Sequence, residues 1–102
     1  MTDQGIPEAH EQPVQSQFVF SGRVQGVGFR ATACQHAEST GLQGWVRNEQ
    51  DGTVCMVVEG PSGAIDDLLS RIQASFGGGL SGIERQNAPP LNEFSGFRIL
   101  RG

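Results

Sequence analysis

The chain has 102 residues, 36% of them hydrophobic and 18% charged, with a formal net charge of −4 and a pI near 4.9. That length suits one domain and leaves no room for a two-lobed active site. The acidic balance is a poor match for a duplex nucleic-acid binder, which needs a basic footprint. All seven basic residues are arginines, which excludes Schiff-base or phosphate-loop chemistry built on lysine.

Residues 1–17 carry two prolines, scattered acids and three glutamines among the last six positions, without hydrophobic periodicity. They are expected to be a disordered N-terminal extension before a domain spanning 18–102. Residues 18–24 form the first strand, an apolar run that ends among glycines. Residues 29–40 read as a helix. Its Ala33 and Ala37, four apart, make a small-residue face that can lie close to a sheet. Gly41 then stands where a left-handed cap is wanted.

Residues 42–48 are the second strand. Glu49-Gln50-Asp51-Gly52 carries the Asp-Gly hairpin signal, and residues 53–59 are the third strand. There Val54, Met56 and Val58 alternate onto the face expected to meet the core. Gly60-Pro61-Ser62-Gly63 breaks the chain. Ile65, Leu68, Leu69, Ile72 and Phe76 follow at amphipathic helix spacing, stopped by Gly77-Gly78-Gly79. Residues 80–86 are the fourth strand, 88–93 a loop, and 97–100 a short last strand.

This β-α-β-β-α-β order with a terminal strand predicts an α+β fold. The layout is a ferredoxin-like α/β sandwich, with a mostly antiparallel sheet carrying both helices on one face. No run is long and apolar enough for a membrane helix or a signal peptide, so a cytoplasmic chain with no membrane partner is expected. Cys34 and Cys55 form no metal-ligand pattern and are expected to be free thiols. No metal or cofactor is implied.

Ser21-Gly22-Arg23-Val24-Gln25-Gly26-Val27-Gly28-Phe29-Arg30 joins the first strand to the first helix. Glycines allow positive φ and turn several N–H groups into one concavity. The helix start adds unpaired N–H groups and the positive end of a dipole, and Arg30 adds a fork of charged donors. Together they suit a small tetrahedral anion. Gly26 to Ala31 also fits a dinucleotide fingerprint, with Glu49 at ribose-acid spacing. One βαβ unit followed by a hairpin cannot supply the doubly wound sheet that this ligand needs. A partner residue for the loop is Asn48, on the reading that the first two strands flank the first helix and have neighbouring ends. Asn48 also suits a plain turn start, and Arg30 a helix surface.

Gly22-Arg23-Val24-Gln25-Gly26-Val27-Gly28-Phe29-Arg30 resembles the first signature of the acylphosphatase family. Gly44-Trp45-Val46-Arg47-Asn48, then Asp51-Gly52-Thr53-Val54 and Glu59-Gly60, resembles the second. The likeness covers about residues 18–101. It departs from the family only outside the signatures, in a longer N-terminal tail and an alanine-rich first helix.

The resemblance implies hydrolysis of acyl phosphates to a carboxylate and phosphate, with no metal or cofactor. It implies Arg30 and Asn48 as the catalytic residues, and a phosphate cradle of backbone N–H groups at Gln25, Gly26, Val27, Gly28, Phe29 and Arg30. The small-molecule partners implied are the acyl phosphate and inorganic phosphate or another anion, bound by a monomer. A carboxylate leaves unprotonated, so a site without a general acid suits acyl phosphates better than ordinary phosphomonoesters. Asn48 can orient water but cannot act as a base.

The competing reading is a non-catalytic anion-binding or interaction module of the same fold; acylphosphatase-like domains also occur inside larger carbamoyl-transfer proteins, where they handle carbamoyl phosphate. A ferredoxin-like RNA binder would need a basic face and exposed aromatics. Outside the site, His36 is expected to face solvent, Glu49 and Asp51 to lie in an exposed hairpin, Arg23 to support the loop, and Trp45 to be core.

Overall fold

The computed structural model describes residues 12–101. The elements are β1 (Pro13–Gly22), α1 (Phe29–Ser39), β2 (Gln43–Asn48), β3 (Val54–Pro61), α2 (Ser62–Phe76), β4 (Leu80–Ala88) and β5 (Phe97–Leu100). One sheet runs β4-β1-β3-β2-β5. Every neighbouring pair is antiparallel except β2 and β5. The result is the ferredoxin-like sandwich with a fifth strand on one edge.

The helix-facing rows of the sheet hold the core. Phe18 pairs with Met56 and Phe20 with Val54, and all four are fully buried. Val58 joins them, so alternation assigned the face of β3 correctly. From the helices, Ala33 and Ala37 of α1 meet Ile65, Leu68 and Ile72 of α2 in the same cluster. The alanines, with no bulk beyond Cβ, let α1 lie close to the strands. Gly41 takes φ +73 after α1, and the Leu42 N–H reaches back to Ala37 O at 3.0 Å, closing the helix end as expected.

The first strand starts five residues earlier than its apolar run suggests. Two of the extra residues, Gln15 and Ser16, are polar and yet buried, because partners are supplied from other strands. The Gln15 amide donates to Glu59 Oε2 at 2.8 Å, and the Ser16 hydroxyl to Asn87 Oδ1 at 2.6 Å. Residues 13–17 of the expected extension are thus strand, and residues 1–11 lie outside the described residues.

Trp45 is the other correction. It lies half-buried on the sheet face away from the helices, since its neighbour Val46 takes the core position. The Arg47 guanidinium stacks over its ring at 4.9 Å. Both residues therefore shield the sheet's outer face rather than fill the core.

Candidate active site

Three constraints shape the loop between β1 and α1. At its start the Arg23 N–H donates to Gly79 O at 2.7 Å, tying it to the turn after α2. At its end Phe29, the first residue of α1, is 1% exposed and packs between Phe20 and Phe76, with ring centroids 4.9 and 4.8 Å away. Between them Gly26 and Gly28 take φ +78 and +80, which L side chains adopt only at a cost. Gly28 is also the N-cap of α1. No side chain caps that helix and no acid stands in its first turn, so its leading N–H groups remain open to an incoming anion.

A pocket of about 190 Å³ opens over this helix start, lined by Gly26, Gly28, Arg30, Asn48 and the apolar Val24, Phe29, Ala31 and Ile99. Drug-sized ligands occupy pockets of roughly 300–1,000 Å³, so this one suits a phosphate with a small substituent. Arg30 lies in the first turn of α1. Its Nη1 makes one long contact, 3.4 Å to Leu100 O at the end of β5, and among the described residues it forms no ion pair. Its charge is therefore available to a ligand. Asn48 ends β2 on the opposite wall. Its side-chain Oδ1 is buried with no hydrogen-bond partner, an arrangement that costs about 1–3 kcal/mol unless something donates to it.

The strand ends meet differently from the sequence expectation. β1 and β2 are not neighbours, because β3 lies between them, two strand spacings of about 4.8 Å apart. They run parallel, however, so the loop after β1 and Asn48 at the end of β2 still lie at the same end of the strands.

Of the six residues expected to cradle phosphate, Gly26, Gly28, Phe29 and Arg30 line the pocket. The Val27 side chain points elsewhere, 39% exposed, over a shallow depression beside Arg23 and Phe76. The Gln25 side chain turns away to the β2–β3 hairpin. Only the backbone N–H groups of Val27 and Gln25 can take part in a cradle.

His36 is half-buried rather than solvent-facing and lines no part of the pocket. Glu49 is half-buried too, and its carboxylate holds the Arg47 guanidinium at 2.9 Å. Asp51 is exposed, and the Thr53 hydroxyl and N–H donate to it and lower its pKa. Sequence reasoning missed Ile99, which is 45% exposed at the pocket rim. Phe97, two residues earlier on the same face of β5, belongs instead to the buried core.

A helix start without a side-chain cap, an arginine with no ion pair among the described residues and a buried amide oxygen without a hydrogen-bond partner thus line one small pocket of a ferredoxin-like domain. The comparisons say which family has this fold. The acylphosphatase family model matches residues 16–99. The acylphosphatase of Rhizobium meliloti (strain 1021) is 41% identical over 83 residues, 80% of this chain and 87% of that relative. The crystal structure of acylphosphatase from Bacillus subtilis superposes with a TM-score of 0.77 at 30% identity, covering 85% of this chain and 98% of that one. Full-length HypF in its phosphate- and nucleotide-bound form matches with a TM-score of 0.74 at 26% identity, covering 87% of this chain but 12% of that protein. The chain belongs to the acylphosphatase family and is an enzyme of it.

Proposed function

We propose that this chain hydrolyses acyl phosphates, holding the phosphate on the loop of residues 22–30 and attacking phosphorus with a water positioned by Asn48. The observation that carries the reading is the convergence of Arg30, free of any ion pair among the described residues, with Asn48 Oδ1, buried and without a donor, in one pocket. The leading N–H groups of α1 and the Arg30 fork bind the non-bridging phosphate oxygens and stabilise the charge that spreads over them in the transition state. The orphaned Asn48 Oδ1 accepts a hydrogen bond from water. That bond holds the water's lone pair toward phosphorus, in line with the leaving oxygen.

The P–O bond to the acyl group then breaks, and the carboxylate departs with the electron pair. No residue lining the pocket is a His, Cys, Asp, Glu or Lys. A general acid is unnecessary, because a carboxylate with a conjugate-acid pKa near 4 leaves as the anion. The water's proton passes to a phosphate oxygen of the substrate. The acyl group rests on the apolar rim of Ile99 and Ala31.

Hydrolysis of benzoyl phosphate in the presence of EDTA, by wild type and by Asn48→Ala, tests this. Turnover in wild type that falls by about 10²-fold or more in the variant is expected. A folded wild-type chain that binds phosphate but does not hydrolyse the substrate would leave an anion-binding module instead.

A further inference from the structure

The pocket depends on two separate pieces of chain: the phosphate loop after β1 and the hairpin that presents Asn48. The sheet joins them only indirectly, through β3, and the pairing of Phe20 with Val54 and of Val54 with Asn48 is the last rung on that path. Beyond it, a direct link comes from one side chain. The Gln25 amide nitrogen donates both of its hydrogens across the gap, to Glu49 O at 2.8 Å and to Thr53 O at 2.9 Å. Those two carbonyls are the base of the hairpin, where the Glu49 N–H also donates to Thr53 O at 2.8 Å. Glu49 directly follows Asn48, so fixing its carbonyl fixes the end of β2.

We propose that Gln25 is a positioning residue, clasping the phosphate loop to the Asn48 hairpin and so setting the distance between the bound phosphorus and the attacking water. The inference rests on the proposed function. Gln25 contributes to the cradle only by its backbone, and its side chain touches no substrate. A clasp of this kind acts on turnover more than on phosphate affinity, because the cradle is complete on the loop and helix alone. Its side chain must supply two hydrogen-bond donors. Methionine keeps the length without a donor, and glutamate places an acceptor before two carbonyl oxygens.

The experiment is a double-mutant cycle of Gln25→Met and Asn48→Ala on benzoyl phosphate, with inhibition by inorganic phosphate and Tm measured for all four proteins. We expect Gln25→Met to lower kcat about tenfold in the wild-type background, with phosphate inhibition changed by less than about twofold. In the Asn48→Ala background the same substitution changes kcat by less than about twofold, since no positioned water remains to be misplaced. Gln25→Glu provides the second readout. Its activity relative to wild type recovers as pH falls and the new carboxyl gains a proton to donate, whereas that of Gln25→Met does not.

Equal losses from Gln25→Met in both backgrounds would overturn the clasp and leave a merely structural hydrogen bond. So would weakened phosphate inhibition with kcat unchanged. An Asn48→Ala protein with wild-type turnover would instead overturn the proposed function, and the clasp with it.

Discussion

In the proposed function, arginine at position 30 is demanded by geometry as well as charge. A lysine there would carry the same charge but only a point-like ammonium, unable to grip two phosphate oxygens from one plane. Arg30→Lys is therefore expected to weaken inhibition by inorganic phosphate about tenfold or more. Retention of wild-type inhibition would show that the guanidinium fork is idle. The pocket lining also holds no side chain that titrates near neutrality. From about pH 5 to 8, kcat should follow only the ionisation of the substrate, and a bell-shaped profile of two enzyme groups would reveal a general acid or base. That Arg30 and Asn48 would lie at one pocket was legible because each is carried by a local motif. The surroundings of Gln25, Trp45 and Ile99 were not. Each depends on which strand lies beside it or on what α1 leaves uncovered, and neither follows from spacing along one chain.

Elements are held in place by a few polar anchors. Glu59 of β3 is 5% exposed with no cationic partner among the described residues. Burial pushes its carboxyl up, but the Leu91 N–H at 2.6 Å, the Gln15 amide and the Asn92 N–H together outweigh that and hold it below the ordinary glutamate range. It thereby fastens β1 and the segment before β5 to β3. A depressed folded-state pKa adds stability that is present above the unfolded value and is lost as pH falls through the folded one. Tm should therefore drop as pH falls through and below the ordinary glutamate range. Glu59→Gln should cost about 1–3 kcal/mol at neutral pH and flatten that acid limb, as read by thermal melts across pH.

The loop glycines separate two kinds of constraint. A Cβ on Gly28 would meet nothing within 4 Å, so Gly28→Ala pays only the left-handed backbone, about 1–2 kcal/mol. A Cβ on Gly22 would stand 2.2 Å from Gly79 O, so Gly22→Ala should cost more than Gly28→Ala in urea unfolding. Element type and order were readable from periodicity and breakers. The start of β1 was not, because Gln15 and Ser16 are buried only by virtue of partners on β3 and β4.

Across the whole molecule, the sheet keeps the two cysteines apart. Cys34 packs on α1, its thiol 3.8 Å from Phe97 O, while Cys55 alternates onto the outer face of β3. Burial raises both thiol pKa values. Glu38 adds to this at Cys34 and Glu49 at Cys55, where Arg47 partly offsets it. Intact mass after alkylation of the unfolded chain should show two modified cysteines with or without prior reduction, and a reductant-dependent difference would refute this placement. The five-strand order, with β3 between the parallel β1 and β2, brings the loop and Asn48 to one end of the sheet, where distant segments line one pocket.

Water attacking phosphorus in that pocket would leave its oxygen in phosphate, which hydrolysis of benzoyl phosphate in ¹⁸O-labelled water tests, with both products analysed by mass spectrometry. Label is expected in inorganic phosphate and none in benzoate. Label in benzoate would place the attack on the carbonyl carbon and contradict that expectation.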